Sequence, residues 1–280
     1  MNPQFSILLP AYKATFLTIC IDSVLAQTYA DWELIIVNDA SPEDINHVVS
    51  SYSDQRIRYY VNEHNIGSRH LVRQWNYCLS LANGNYVICI GDDDCLCPDC
   101  LATYACLIET NPNIDVFHGQ TDIINENGIH ICSTSPRPEW ESAISLLYHR
   151  TYIYRHQFIG DFCYKRDLLL SQGGFYDLPY AWGSDDVSAV RAAQKHGIVN
   201  TQSVVFLYRD NNQSITRHSH TLGKLYASFR EALWKKQFLS APCTDPKDEQ
   251  YRIDLQKGLT LVTLKKWYYI LRNVWKNVFS

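Results

Sequence analysis

Three carboxylates at residues 92–94 follow Gly91, directly after the apolar run 86–90. Side chains of like charge repel one another, so such a cluster costs free energy unless a cation or solvent compensates it. Carboxylate oxygens at the end of a strand suit Mg²⁺ or Mn²⁺ that carries phosphate groups. A solvated acidic turn is the alternative, because turns favour Asp for local reasons. Asp39 follows a second apolar run, 34–37, and this makes a metal site the better hypothesis.

The elements that would position these carboxylates alternate between strand and helix. Apolar runs predict strands at 5–9, 34–37, 57–61 and 86–90, and apolar residues at helical spacing predict helices at 14–27, 45–52 and 72–81. This alternation indicates an α/β fold with a mostly parallel sheet and helices on both faces. Ligands bind beyond the carboxyl ends of the strands in such sheets, where Tyr12, Asp39 and residues 92–94 would meet.

The second half of the chain is less regular. Strands are predicted at 114–118 and 204–208, helices at 140–150 and 185–196, and mainly helix from about 222 onward. One catalytic domain over 1–220 with a helical C-terminal extension over 221–280 fits this pattern.

Composition argues against several classes of protein. The formal net charge of −4 lacks the basic excess of a nucleic-acid binder. With 46% hydrophobic and 19% charged residues, the chain is globular rather than disordered. It has no apolar run of ~20 residues and does not begin like a secretory signal, so we expect a cytoplasmic protein. The cluster Cys95, Cys97 and Cys100 lacks the fourth ligand that zinc would need, which favours reduced thiols.

Several blocks taken together resemble family 2 glycosyltransferases, which have the GT-A (Rossmann-like) fold and use nucleotide-sugar donors. The blocks are FSILLPAY at 5–12, SVLAQTY at 23–29, WELIIVNDAS at 32–41, NIG at 65–67, WN at 75–76, ANGNY at 82–86 and GDDD at 91–94. The resemblance is close over about residues 4–100 and looser over 101–220. It implies an inverting, metal-dependent hexosyltransferase, with 91–94 as its form of the D-x-D motif.

The resemblance also implies roles for single residues. The residues that would bind the nucleotide-sugar are Pro10, Ala11, Tyr12, Asp39, Asn65, Gly67, Asp92, Asp93 and Arg209. Asp39 would accept a hydrogen bond from a base N–H, and Asp92 would lie near the ribose. Asp93 and Asp94 would hold Mn²⁺ or Mg²⁺ on the diphosphate. Gly91 stands at the family's first acidic position, so which of the three carboxylates binds the metal stays open.

A second acidic pair, Asp185 and Asp186, begins the predicted helix 185–196. Carboxylates there also suit the helix cap and dipole, a purely structural alternative. Inverting transfer needs a base that deprotonates the acceptor hydroxyl. The resemblance implies Asp186 as this base, with Asp185 as the alternative. Trp182 would pack against the acceptor sugar, and Asp161 would line the acceptor pocket.

The late segment adds candidates near the diphosphate. Arg209 or Arg217 would stabilise the charge of the leaving phosphate. His218 or His220 could add a metal ligand, although exposed loop histidines without a ligand are the more common case.

The C-terminal segment 255–280 contains five Lys or Arg, no Asp or Glu, and many Trp, Tyr and aliphatic residues. This pattern is typical of a helix at a membrane surface, although a helix packed on its own domain has a similar composition. We expect peripheral contact with the inner face of a membrane.

The sequence therefore predicts an inverting glycosyltransferase. It would move a sugar from a nucleotide-diphosphate sugar, expected to be UDP-linked, to a glycan or lipid-linked acceptor in the synthesis of bacterial surface polysaccharide or lipopolysaccharide. One rival, a nucleotidyltransferase, would need a Gly-rich basic loop after the first strand, which 11–14 lacks. The other, a non-catalytic sugar- or nucleotide-binding protein, would not need carboxylates at both sites. The donor sugar, the acceptor and the oligomeric state do not follow from the sequence.

Overall fold

A computed structural model of the chain describes residues 3–211 and 220–279, with side chains described up to residue 272. Within these residues ten strands form one sheet: β1 Phe5–Ala11, β2 Trp32–Asn38, β3 Ile57–Val61, β4 Tyr86–Cys89, β5 Cys95–Leu96, β6 Val116–Ile124, β7 His130–Ser133, β8 Trp140–Glu141, β9 Phe162–Lys165 and β10 Ile198–Arg209. The order along the sheet is β3-β2-β1-β4-β9-β6-β10-β5, while β7 pairs with β6 and β8 with β10.

The helices of the described residues are α1 Leu17–Leu25, α2 Ile45–Ser50, α3 Leu71–Ser80, α4 Cys100–Thr110, α5 Ala143–Tyr152, α6 Arg166–Ser171, α7 Ser184–Ala193, α8 Thr221–Phe238 and α9 Pro246–Phe279. Short 3-10 helices lie at Ser68–His70, Ile159–Asp161 and Pro179–Ala181. The four strands predicted in the first hundred residues are therefore confirmed, as are the helices between them.

The first four strands run parallel, and their carboxyl ends meet at one edge. β1 pairs with both β2 and β4, and β2 pairs with β3. The register aligns Ala11 with Asn38, and Asp39 N donates to Ala11 O at 3.0 Å. Ile90 N donates to Leu8 O at 2.9 Å, so the acidic run leaves the sheet at this same edge. Further along, β9 runs antiparallel between β4 and β6.

The central strands are buried on both faces. Alternate residues of β1 belong to two separate apolar cores: Ile7 and Leu9 lie with residues of α1, α2 and α4, while Leu8 lies with residues of α3, α5 and α7. A strand covered on both sides needs apolar residues at every position, which explains the uninterrupted run in the sequence. Each fully buried side chain of this size contributes roughly 1.5–3 kcal/mol.

The C-terminal helices α8 and α9 pack against each other, and α9 also packs on α5. The apolar residues of α9 are divided: Leu255 and Ile270 are buried, whereas Leu261, Leu264 and Tyr268 are more than half exposed. None of the helices in residues 3–211 and 220–279 has the length and hydropathy that a bilayer crossing requires. The division of the chain at residue 220 stays a prediction.

Candidate active site

The acidic run is tied to the turn after β1 through Asp92. Its Oδ2 accepts hydrogen bonds from the backbone N–H groups of Tyr12 and Lys13, both at 2.7 Å. Burial, and then the charge of Asp93, raise the pKa of the Asp92 carboxyl to about 6, while the two N–H groups act in the opposite direction. The turn that was predicted to hold a nucleotide and the acidic run are thus parts of one connected structure.

Arg209, at the end of β10, braces the acidic run from the other side. Its backbone N–H donates to Oδ1 of Asp94 at 2.9 Å, and its Nε donates to the backbone oxygen of Asp93 at 2.8 Å. Its Nη1 donates to the backbone oxygens of Asn125 and Glu126. The guanidinium is therefore engaged with backbone carbonyls and nearly buried. The hydrogen bonds of Arg209 stabilise the acidic run. Its contact with the nucleotide-sugar stays a prediction.

Asp93 and Asp94 both direct an oxygen toward Gly91. A Cβ at residue 91 would lie 2.9 Å from Oδ1 of Asp93 and 2.9 Å from Oδ2 of Asp94, so an added side chain would displace one or both oxygens. Burial, and then the charge of Asp93, hold the pKa of Asp94 well above its ordinary value. Crowded carboxylates of this kind favour a cation between them.

The residues present fit a divalent cation that is shared with a diphosphate. In the described part of the chain, no three His, Cys, Asp or Glu side chains form a complete metal site of their own. Asp93 and Asp94 therefore offer a partial ligand set. Mg²⁺-type ions in phosphate-transfer sites usually take one or two carboxylates and complete their shell with phosphate and water.

Asp39 organises the loop 62–67. Its Oδ1 accepts from Asn62 Nδ2 and from Ile66 N, both at 2.8 Å, and its Oδ2 accepts from Gly67 N at 3.1 Å and Asn65 Nδ2 at 3.2 Å. Two donors on each oxygen use the ordinary acceptor capacity of a carboxylate. The predicted hydrogen bond from a nucleotide base to Asp39 stays untested, and it would have to compete with these four donors.

The other predicted nucleotide contacts lie around this loop. Asn65 and Gly67 belong to this loop and donate hydrogen bonds to Asp39. Tyr12 is 43% exposed. Pro10 is half-buried at the end of β1, whereas Ala11 is fully buried. Tyr12 is thus the most accessible of the residues predicted to contact the base at this edge.

The second acidic pair lies in the first turn of α7, as predicted. Gly183 precedes the helix with φ of 90°, a conformation that favours glycine. Oδ1 of Asp186 accepts from Arg150 Nε at 2.8 Å and from Gln157 Nε2 at 2.7 Å. Burial, and then the charge of Asp186, raise the pKa of Asp185 to about 8. Sequence reasoning missed Arg150 and Gln157, because neither lies in a motif and both reach α7 only through the folding of the segment 143–158.

Asp161 is completely buried, in contrast to the expectation that it lines an acceptor pocket. Its Oδ2 accepts from Phe158 N at 3.0 Å and from Thr121 Oγ1 at 3.2 Å, and lies 3.5 Å from Nε2 of His118. Burial raises the pKa of this carboxyl to about 7. A side chain with 0% exposure cannot contact an acceptor at the surface, so direct contact is disfavoured by the geometry.

Trp182 lies where the C-terminal helices reach the loop before α7. The ammonium groups of Lys224 and Lys266 are 4.9 Å and 5.8 Å from the centroid of its ring. Just before it, Tyr180 and Ala181 have φ of 59° and 54°, a strained region for residues other than glycine. A Cβ on Gly223 of α8 would overlap the ring of Tyr180. This strained loop is therefore held by α8.

An ion cluster joins α8 and α9 beside this loop. Glu231 on α8 is 97% buried and pairs with Lys235 at 2.7 Å and with Lys266 on α9. A Cβ on Gly183 would lie 3.0 Å from Oε2 of Glu231. Despite burial, the two ammonium groups lower the pKa of Glu231 to about 2.

The remaining candidates do not form a metal site in the described residues. Cys95 and Cys100 are buried free thiols and Cys97 is half-buried, with burial raising the pKa of Cys97 to about 11. His220 is exposed at the start of α8 and joins no group of three ligands within those residues. Arg217 and His218 lie outside the described residues.

The relatives of this chain among known proteins include two glycosyltransferases. The UDP-Glc:alpha-D-GlcNAc-diphosphoundecaprenol beta-1,3-glucosyltransferase WfgD of Escherichia coli is 34% identical over 125 residues, which are 44% of this chain and 48% of WfgD. The glycosyltransferase GlyA of Streptococcus pneumoniae is 29% identical over 119 residues, 41% of this chain and 17% of GlyA. The chain thus spans less than half the length of either relative.

Two solved structures share the fold. S. aureus TarS 1–349 in complex with UDP-GlcNAc superposes with a TM-score of 0.70 at 16% identity, over 97% of this chain and 80% of TarS 1–349. The mannosyltransferase PcManGT of Pyrobaculum calidifontis, in complex with GDP-Man and Mn²⁺, gives a TM-score of 0.64 at 15% identity, over 100% of this chain and 76% of PcManGT. The expected GT-A fold, with C-terminal helices, is thereby confirmed.

The family follows from the sequence match. The model of glycosyl transferase family 2 matches residues 6–166, which is more than half of the chain and includes both β1 and the acidic run. This chain belongs to glycosyl transferase family 2.

Proposed function

We propose that this glycosyltransferase inverts the anomeric configuration as it moves a hexose from a UDP-linked donor to an acceptor hydroxyl. The observation that carries the proposal is the pair of carboxylate oxygens, from Asp93 and Asp94, that converge on Gly91 at the carboxyl edge of the sheet. That edge is where α/β sheets bind nucleotides. The second acidic pair, Asp185 and Asp186, supplies a base.

In this mechanism Asp93 and Asp94 would hold Mn²⁺ or Mg²⁺ on the donor. When bound, such a cation offsets the charge of the diphosphate as it leaves. The exposed Tyr12 offers a surface for the nucleotide base, and Asp92 keeps that turn against the acidic run. These residues bind and orient the donor.

The chemical step needs one proton transfer. The carboxylate of Asp186, with Asp185 as the alternative, takes the proton of the acceptor hydroxyl. The hydroxyl oxygen forms a bond to the anomeric carbon on the face opposite to the leaving group. The bond from that carbon to the diphosphate oxygen breaks, and its electron pair stays with the nucleoside diphosphate.

The acceptor is proposed to be a glycan or a lipid-linked sugar of bacterial surface polysaccharide or lipopolysaccharide synthesis. The similarity to WfgD, whose name describes a diphosphoundecaprenol-linked acceptor, supports a lipid-linked one. Trp182, at the end of the strained loop, offers an aromatic surface for the acceptor sugar.

The test of the proposal is turnover of a panel of nucleotide sugars with Mn²⁺ or Mg²⁺, measured as release of nucleoside diphosphate. We expect release from a UDP-sugar by the wild type and loss of at least about 100-fold in Asp93→Ala and Asp94→Ala. Asp99→Asn is the matched control, because this nearby exposed carboxylate bonds only to Thr28. No release by the wild type, and no metal-dependent binding of nucleotide, would contradict the proposal.

We also propose peripheral contact with the inner membrane face through α8 and α9. Leu222, Tyr226, Phe229 and Leu233 recur at helical spacing on α8 and are each about half exposed or more, as are Leu261, Leu264 and Tyr268 on α9. Basic residues without acidic ones accompany them from 255 onward. Apolar residues with neighbouring cations suit an anionic lipid surface.

Vesicle sedimentation tests this contact. The variant Leu264→Glu with Tyr268→Glu is expected to lose binding to phosphatidylglycerol vesicles. Ile129→Glu, equally exposed but far along the chain in the turn before β7, is the control and is expected to bind like the wild type. Equal sedimentation of all three proteins would reject the contact.

A further inference from the structure

We propose that Arg150 and Gln157 are positioning residues, which hold the Asp186 carboxylate through Oδ1 and leave its Oδ2 as the oxygen that takes the acceptor proton. The inference rests on the proposed function, since it assigns how the base of that reaction is held. It starts from one geometric fact. Both hydrogen bonds to the Asp186 carboxylate, from Arg150 Nε and Gln157 Nε2, end on Oδ1.

Two donors on one oxygen fix the plane of the carboxylate. Oδ1 receives a bond of 2.8 Å from the guanidinium and one of 2.7 Å from the amide, which uses its acceptor capacity. Neither donor contacts Oδ2. A carboxylate held in this way presents a single oxygen to an incoming hydroxyl, and orientation of this kind is what makes general-base catalysis efficient.

The orientation of Gln157 is itself determined by a further residue. Arg137 Nη2 donates to Oε1 of Gln157 at 3.1 Å and to the backbone oxygen of His156 at 3.2 Å. Because Oε1 accepts from Arg137, the amide nitrogen is the atom that must face Asp186. Arg137 and Gln157 are both buried, so water does not easily replace either bond.

Arg150 acts on both carboxyls of the pair but bonds to only one of them. Its Nε donates to Asp186, whereas no such bond joins it to Asp185. Burial, and then the charge of Asp186, raise the pKa of Asp185 to about 8, while the guanidinium of Arg150 acts in the opposite direction. Asp186 is therefore the carboxyl of the pair that Arg150 holds in place.

Other titratable groups surround the pair. Besides burial, the charges of Asp185 and Asp186 raise the pKa of Tyr164 on β9, and the charge of Asp161 in the 3-10 helix adds to the rise at Asp185. Arg137 in the loop before β8 acts mainly on Asp161, and Glu231 on α8 is paired with two lysines. Arg150 is therefore the cation that bonds to the pair.

The experiment compares the wild type with Arg150→Gln, Arg150→Lys and Gln157→Ala, and uses Arg155→Gln as the matched control. Arg155 lies close by but pairs with Glu141. The first readout does not depend on activity: carboxyl ¹³C NMR of aspartate-labelled protein, titrated from pH 4 to 9, with Asp185→Asn and Asp186→Asn to assign the two signals.

We expect the Asp185 signal of the wild type to have a midpoint of about 8. Arg150→Gln should raise this midpoint, because the guanidinium of Arg150 partly offsets the effects of burial and of Asp186 in the wild type. Arg150→Lys should restore most of the difference, and Arg155→Gln should leave the midpoint unchanged. An unchanged Asp185 midpoint in Arg150→Gln, with a lower melting temperature alone, would mean that Arg150 is only structural and would overturn the inference.

The second readout is turnover with the donor and acceptor found active. Arg150→Gln and Gln157→Ala should lower kcat by about 10- to 100-fold, the cost of a misplaced catalytic group, and change the donor KM by less than about twofold. A larger KM with unchanged kcat would overturn the inference. If the wild type releases no nucleoside diphosphate, the proposed function fails, while the Asp185 midpoint in the NMR titration still decides whether Arg150 acts on the pair.

Discussion

Replacing Glu231 by Gln tests the attachment of the C-terminal helices to the catalytic part of the chain. Glu231 is 97% buried and paired with Lys235 and Lys266, and its pKa falls from an ordinary 4.5 to about 2. One pKa unit corresponds to about 1.4 kcal/mol, so the ionised side chain stabilises the fold by about 3 kcal/mol. A carboxyl whose pKa is lowered by folding stabilises the folded state at pH values above its pKa in the unfolded chain. That contribution is complete above about pH 4.5 and is lost as the pH falls through about 2.

The assay is urea unfolding at pH 7 and at pH 3, followed by tryptophan fluorescence. At pH 7 Glu231→Gln should lower the free energy of unfolding by about 3 kcal/mol, and the difference from the wild type should shrink at pH 3. Glu249→Gln is the control. Its pKa is also lowered to about 2, by the hydrogen bonds of Arg252, but the Glu249 side chain is 30% exposed, against 4% for Glu231, so solvent screens its ion pair more. Equal stability of Glu231→Gln and the wild type at pH 7 would refute the argument that burial makes this pair strong.

Three further variants test the site. Gly91→Ala should raise the Mn²⁺ concentration for half-maximal nucleotide release by about tenfold, because the added Cβ would lie 2.9 Å from the Asp93 and Asp94 oxygens that are proposed to bind metal. An unchanged Mn²⁺ titration would argue against these oxygens as ligands. Asp39→Ala should free the loop 62–67 and lower stability by about 2–4 kcal/mol, measured by urea unfolding and by proteolysis within that loop. The pKa of Asp161 is raised to about 7, so its contribution to stability is complete below about pH 3.8 and is lost as the pH rises through about 7. Asp161→Asn should therefore make the free energy of unfolding depend less on pH. Urea unfolding from pH 4 to 8 measures this dependence.

The edge of the sheet could be predicted because its signals are local. β1, β2 and β4 are short, apolar on both faces and followed at once by polar residues, so periodicity alone locates them and parallel pairing aligns their ends. The sequence alone therefore predicts the acidic run and Asp39 at one edge. It does not predict their hydrogen bonds, because these depend on how the loop 62–67 folds back.

The far side of the site could not be predicted for the same reason. β9 has four residues and lies antiparallel between β4 and β6. No local pattern in the sequence predicts this pairing. Asp161 lies in the 3-10 helix just before β9 and is buried beside Thr121 and His118 of β6, so it is an interior group. Arg150 and Gln157 are unremarkable in sequence, and only the approach of α5 to α7 gives them a partner.

The contacts of α8 with the loop at Pro179–Ala181 limit how this enzyme can be altered. Gly223 leaves room for the ring of Tyr180, and Glu231 lies against Gly183, so the loop keeps its shape only while α8 is present. A chimera that imports this loop from a relative, without the helix that fits it, should lose its shape and with it the binding of the new acceptor. Under the proposed function, exchange of acceptor preference between relatives requires loop and helix to be transferred as one unit, even though Ala181 and Thr221 are 40 positions apart in the chain.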